Sequence, residues 1–150
     1  MLEKSSRGAY CTKVIRGILY AMKVQRQVFA NALVLGLEGR LDHETTPEFR
    51  EEILGSVRQA AADELTIVLD LARLEYLSSP GLNALIIASR AARKEGVSIC
   101  AAGLQTMVRE TWEISHLTLL VQVFPVMDEA LGVVSDAALQ AYRAQKTAKA

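Results

Sequence analysis

From residue 22 onward the apolar positions fall into short extended runs separated by stripes at helical spacing. Val24 to Val28 and Ala32 to Leu37 are two β-prone runs, and Ala30-Asn31 between them has the length of a tight hairpin connection. Glu38 to Glu44 is mostly charged and reads as a loop. Thr46-Pro47 then offers an N-cap followed by proline at the first helical position, while Thr45 with Glu48 fits a capping box one residue earlier. Phe49, Ile53, Val57 and Ala60 fall on one face at helical spacing, so the segment predicts a first helix.

Leu65 to Leu69 is apolar nearly throughout, as a central strand covered on both faces would be, with Asp70 at its end and a loop over Leu71 to Leu77. Leu82, Leu85, Ile86 and Ser89 predict a second helix; Arg93-Lys94 complement its dipole and Gly96 stops it. Val97 to Ala101 reads as a strand, Gly103 as a turn into a helix over Leu104 to Ile114, and Leu119 to Phe124 as a last short strand. Met127 onward is helical with a break near Gly132 to Ser135. The predicted order is β-β-α-β-α-β-α-β-α: an α/β domain with a mixed, mostly parallel sheet of four to five strands packed against about four helices. Residues 1–21 show no clean period and read as a flexible or loosely docked extension, with Met22 as an alternative start. Residues 22–140 form one domain, and 141–150 a fraying tail.

The 150 residues make about one domain, and 51% apolar content suits a packed core. Basic and acidic residues balance at 17 each, so no overall field draws nucleic acid or an anionic membrane. Aromatics at 5% do not suggest a base-stacking surface. The two cysteines, Cys11 and Cys100, lack any CxxC or Cys/His ligand spacing, which excludes a structural zinc pattern and suits a reducing compartment. The longest uncharged stretches, Tyr76 to Ser89 and Ile114 to Met127, are too short to span a bilayer, and Arg16 interrupts the apolar run Val14 to Met22, so no secretory signal is read there. A soluble, cytoplasmic chain without membrane insertion is expected.

Catalytic patterns are missing from the sequence. Ser78 and Ser79 lack a GxSxG surround, His43 and His116 are the two histidines, and no third orienting group is indicated. Gly36 and Gly39 make a GxxG without the glycine-lysine of a nucleotide loop. Glu51-Glu52 and Asp63-Glu64 read as solvated charges, and Trp112 as core or a surface anchor. No enzyme, metal site or cofactor is expected.

Ser78-Ser79-Pro80-Gly81 admits two readings. With Pro80 at the first helical position, Ser79 is the expected N-cap, and its loss would cost about 1 kcal/mol. The same geometry suits a phosphate, because unpaired N–H groups and the positive end of the helix dipole favour an anion on Ser79. A phosphoryl group would add a charge of about −1.5 to −2 and repel a docked partner without unfolding the domain.

Leu37-Glu38-Gly39-Arg40-Leu41-Asp42, Ile67-Val68-Leu69-Asp70-Leu71 and Leu74 to Leu82 resemble, in that order and spacing, the hallmarks of STAS domains. These occur in bacterial anti-sigma factor antagonists and at the carboxyl ends of sulfate transporters. The resemblance spans about Met22 to Val134. It implies a four- or five-stranded sheet backed by helices on one side. It also implies a regulator of transcription that binds an anti-sigma factor serine kinase, is switched off by phosphorylation at the start of the second helix, and is restored by a serine phosphatase. Aligned on Gly81-Leu82, the acceptor matches Ser79, with Ser78 the second choice. The position before it, commonly aspartate, is Ser78 here, and the one after it, commonly serine, is Pro80. Asp42 matches an aspartate near the acceptor and His43 a frequent neighbour. The implied partner surface comprises Asp42, His43, Ser78, Pro80, Gly81 and Asn83, with the exposed face of Arg90 to Lys94.

Other readings stay open at this stage: a constitutive assembly or transport-accessory subunit in which Ser79 is only a cap, and small-ligand sensing at the same helix start. A weak homo-oligomer is also compatible with the sequence.

Overall fold

A computed structural model describes residues 10–149. These residues form six strands and five α-helices. The strands are β1 (Tyr10–Arg16), β2 (Ala21–Phe29), β3 (Ala32–Leu41), β4 (Thr66–Leu77), β5 (Ile99–Ala102) and β6 (Gln122–Phe124). The helices are α1 (Thr46–Asp63), α2 (Ser79–Lys94), α3 (Thr106–Ile114), α4 (Met127–Val134) and α5 (Asp136–Lys149), with a 3₁₀ turn at Leu117–Leu119. The strands lie side by side in chain order. β1, β2 and β3 are antiparallel, and β3 to β6 are parallel, so the sheet is mixed and mostly parallel, as expected, with one strand more than the upper figure.

The additional strand lies in the segment read as an extension. Residues 10–16 pair with β2 from Tyr10 opposite Gln27 to Arg16 opposite Ala21. Ile15 alone among them is buried, so this edge strand carries no alternating apolar signal. The part of that extension over 1–9 lies outside the described residues. At the other end, α5 continues through the expected fraying tail to Lys149.

Two strands outrun their predicted ends. β3 continues through Glu38 to Leu41, and β4 through Asp70 to Leu77, because each is the other's hydrogen-bonded neighbour. The charged side chains do not break pairing, since Leu37, Leu41, Leu71, Leu74 and Leu77 still enter the core. The register shifts at Gly36/Glu38 and Gly39/Arg40, next to Gly39 at a φ of 108°. A side chain at Gly39 would also meet the Ala21 carbonyl at 2.6 Å, so the close crossing of β2 requires glycine.

The main core lies between one sheet face and α1, α2 and α3. Leu33, Leu35, Ile67 and Leu69 pack there with Phe49, Ile53, Leu85 and Trp112. Burying each such side chain contributes about 1.5–3 kcal/mol. Trp112 is therefore core. Against the other face, α4 and α5 cover Phe29, Val34, Val68, Cys100 and Phe124 with Leu131 and Ala138. Helices thus stand on both faces, whereas the resemblance implied one; β3 and β4 are apolar on both sides for that reason. The Tyr142 and Phe29 rings pack in a T shape with centroids 5.5 Å apart and hold α5 down. No helix of the described residues is long and apolar enough to cross a membrane.

Candidate functional site

The parallel strands β3 and β4 end together at Leu41 and Leu77, and both chain continuations leave the same end of the sheet. After β4 the chain enters α2. The N-cap is Ser78, in extended conformation, whose hydroxyl accepts a hydrogen bond from the Gly81 N–H at 3.2 Å. The cap is therefore one residue before Ser79, the position expected from the sequence. Helical geometry begins one residue earlier than the proline suggested, so Ser79 and Pro80 occupy the first turn together. The Ser78 hydroxyl also donates to the Leu41 carbonyl at 2.9 Å. Ser78 is part-buried, while Ser79, Pro80 and Asn83 are exposed. Among the described residues no hydrogen bond engages the Ser79 hydroxyl.

After β3 the chain enters the Asp42–Glu44 loop. Asp42 Oδ1 accepts hydrogen bonds from the N–H groups of Glu44 and Thr45, each at 3.0 Å. Burial alone would raise this carboxyl's pKa; the two backbone donors, the Thr45 hydroxyl and nearby His43 outweigh it and hold the pKa below the usual value. Asp42 therefore organises its own loop. His43 beside it is exposed. Thr45 precedes α1 at the cap position but does not cap it. Its hydroxyl instead accepts from the Asp42 N–H and lies 3.0 Å from the Arg40 carbonyl, so the expected capping box with Glu48 does not form.

Gly81 brings the two segments into contact. A Cβ there would stand 2.7 Å from Leu41 Cγ and 3.0 Å from the Leu41 carbonyl. Glycine lets α2 start directly on the end of β3, at Leu41, where the Asp42–His43 loop also begins. Asp42 and His43, which follow β3, and Ser78, Ser79, Pro80, Gly81 and Asn83, which follow β4, thus lie at the same end of the sheet. The exposed residues Arg90, Arg93 and Lys94 continue along the same helix.

One element near this end of the sheet was not legible in the sequence. The Arg40 guanidinium lies over the rings of Tyr20, at 4.6 Å, and Tyr76, at 4.3 Å. Three distant positions meet there only because β2, β3 and β4 are neighbours. A separate cleft of about 360 Å³ lies between α5 and the sheet, lined by Gln25, Gly36, Asp70, Tyr142 and Lys146 among others. It includes none of the residues around Ser79.

Known proteins share this fold. BtrV of Bordetella bronchiseptica, named as a candidate anti-sigma factor antagonist, is 29% identical over 105 residues, covering 70% of this chain and 85% of that protein. A crystal structure of an anti-sigma factor antagonist from Mycobacterium paratuberculosis superposes with a TM-score of 0.67 at 22% identity, covering 75% of this chain and 93% of that one. The Bacillus cell fate determinant SpoIIAA in its phosphorylated form gives a TM-score of 0.57 at 21% identity, covering 74% and 98% respectively. The family described as the STAS domain matches residues 21–130. This chain belongs to the STAS domain family.

Proposed function

We propose that this protein is an anti-sigma factor antagonist that binds a serine-kinase anti-sigma factor and is switched off by phosphorylation at Ser79. The observation that carries the reading is the division of labour between two adjacent serines. Ser78 caps α2 and holds β3, so its hydroxyl is committed. Ser79 stands exposed in the first helical turn with a free hydroxyl. A phosphate there would lie at the positive end of the α2 dipole, which stabilises negative charge locally even though the Gly81 N–H is already bonded to Ser78. It would leave the cap intact and change only the surface. A serine phosphatase would reverse the change. The name of BtrV and the phosphorylated form of SpoIIAA support the same reading.

The first test is intact-mass measurement of the protein from its native host, with peptide mapping across Tyr76 to Arg90. Phosphate at Ser79 supports the switch. The companion test titrates the host's purified anti-sigma factor kinases against wild-type chain and Ser79→Asp. The substitution is expected to abolish binding without lowering the melting temperature. Retained affinity would instead favour a constitutive assembly or transport-accessory subunit.

A further inference from the structure

The turn between β1 and β2, Gly17-Ile18-Leu19-Tyr20, carries neither charge nor amide. Ile18 and Leu19 are 83% and 82% exposed, and Tyr20 is half exposed. Single exposed aliphatics are ordinary on a protein surface, whereas a contiguous exposed cluster marks an interaction site.

This knob is held in place. The Gly17 N–H donates to the Tyr20 carbonyl at 2.7 Å, and the Ile18 N–H donates to Glu44 Oε1 at 2.7 Å. A side chain at Gly17 would meet both acceptors, at 2.8 and 3.0 Å. Tyr20 is fixed under Arg40, which also lies over Tyr76, two residues before Ser78. The knob is thereby tied to the Asp42–Glu44 loop and to the strand that leads into Ser79. β1 and the turn also precede residues 21–130, the part that matches the family, so the knob is added to the shared frame.

We propose that Ile18 and Leu19 form a docking knob that inserts into an apolar pocket of the same protein partner that covers Ser79 and the Asp42–His43 loop. This rests on the function proposed above and adds to it the source of partner selectivity. Two aliphatic side chains alone bury far less than the roughly 800 Å² per partner of a stable interface, so the knob works only as part of a larger surface. The Ile18–Glu44 hydrogen bond joins the knob to the Asp42–Glu44 loop, which leaves β3 at Leu41, where Ser78 and α2 are anchored. A bilayer is a poorer occupant: the Glu44 carboxylate stands at the base of the knob, and the chain has no net positive charge to draw it to anionic lipid. The two parts divide the work. The knob distinguishes one kinase from its relatives, and a phosphate on Ser79 decides whether that kinase is bound.

The test uses the full chain and the purified serine-kinase anti-sigma factors of the source organism, titrated by calorimetry. Ile18→Ser with Leu19→Ser is expected to weaken binding by about tenfold or more, as loss of a buried apolar anchor does, with an unchanged melting temperature. Ile18→Leu with Leu19→Ile should restore it. Affinity of the serine variant within about twofold of wild type, while Ser79→Asp abolishes binding, overturns the knob and leaves the switch standing. Wild-type affinity in Ser79→Asp as well, or no kinase that binds the wild-type chain, removes both. Two further results would overturn the knob in favour of another occupant. One is a concentration-dependent dimer in sedimentation that the serine variant loses. The other is wild-type binding to vesicles of phosphatidylcholine and phosphatidylglycerol that the variant loses.

Discussion

The carbonyl oxygen of Leu41 receives two hydrogen bonds from Ser78, one from its backbone N–H and one from its hydroxyl, each at 2.9 Å. That pair joins the end of β3 to the start of α2. With the bond from the Gly81 N–H, it makes Ser78 the structural serine and leaves Ser79 to the surface.

The two serines should therefore separate in stability measurements. Ser78→Ala removes the cap and should lower unfolding free energy by about 1 kcal/mol, whereas Ser79→Ala should stay within about 0.5 kcal/mol of wild type. Urea denaturation of both variants decides it. A larger loss at Ser79 would mean that the cap lies there after all.

Gly81 should resist even one added methyl group. Gly81→Ala sets a Cβ 2.7 Å from Leu41 Cγ, inside contact distance, and either α2 or β3 must move. Overpacking of this kind costs about 1–3 kcal/mol, although alanine favours helix elsewhere. A variant as stable as wild type would show that the contact relaxes freely.

Asp42 should impose an acid limit on the loop. Its pKa is lowered in the folded chain, so its contribution is present above the ordinary carboxylate value and is lost as pH falls through the folded value. Asp42→Asn keeps an acceptor oxygen without the charge. It should be less stable than wild type at neutral pH, with the difference shrinking under acid. Denaturant midpoints at neutral pH and below about pH 4 test the sign, and a gap that widens in acid contradicts it.

The two cysteines should react differently. Cys11 is exposed on β1, while burial on the α4–α5 side of the sheet pushes the Cys100 thiol up to about 11. An aromatic disulfide reagent at mildly alkaline pH should modify one thiol in the native protein and two after denaturation. Rapid reaction of both would mean that α4 and α5 open readily from the sheet.

Periodicity made the core helices legible. Phe49, Ile53, Val57 and Ala60 are buried on α1, and Leu85 and Ser89 on α2, because an amphipathic helix declares its inner face locally. The Ala30-Asn31 turn and the strand around Leu65 to Leu69 were equally readable. Strand ends were not. Asp70 and the charges from Glu38 to Arg40 look like stops, yet pairing between β3 and β4 carries both strands past them, and pairing is set by a neighbour distant in sequence. β1 was hidden for a related reason, since one buried residue in seven leaves no pattern.

The site divides in the same way. Ser78-Ser79-Pro80-Gly81 announced a helix start and a candidate acceptor, because caps and prolines act within a few residues of themselves. Which serine caps depended on the Leu41 carbonyl, 37 residues away, and the placing of Tyr20 and Tyr76 about Arg40 depended on the order of three strands. The sequence by itself determined the local elements, their apolar faces and the family. Only the tertiary structure decided where strands stop, which hydroxyl is free, and what stands beside it, since hydrogen bonds and packing between distant segments override local preference.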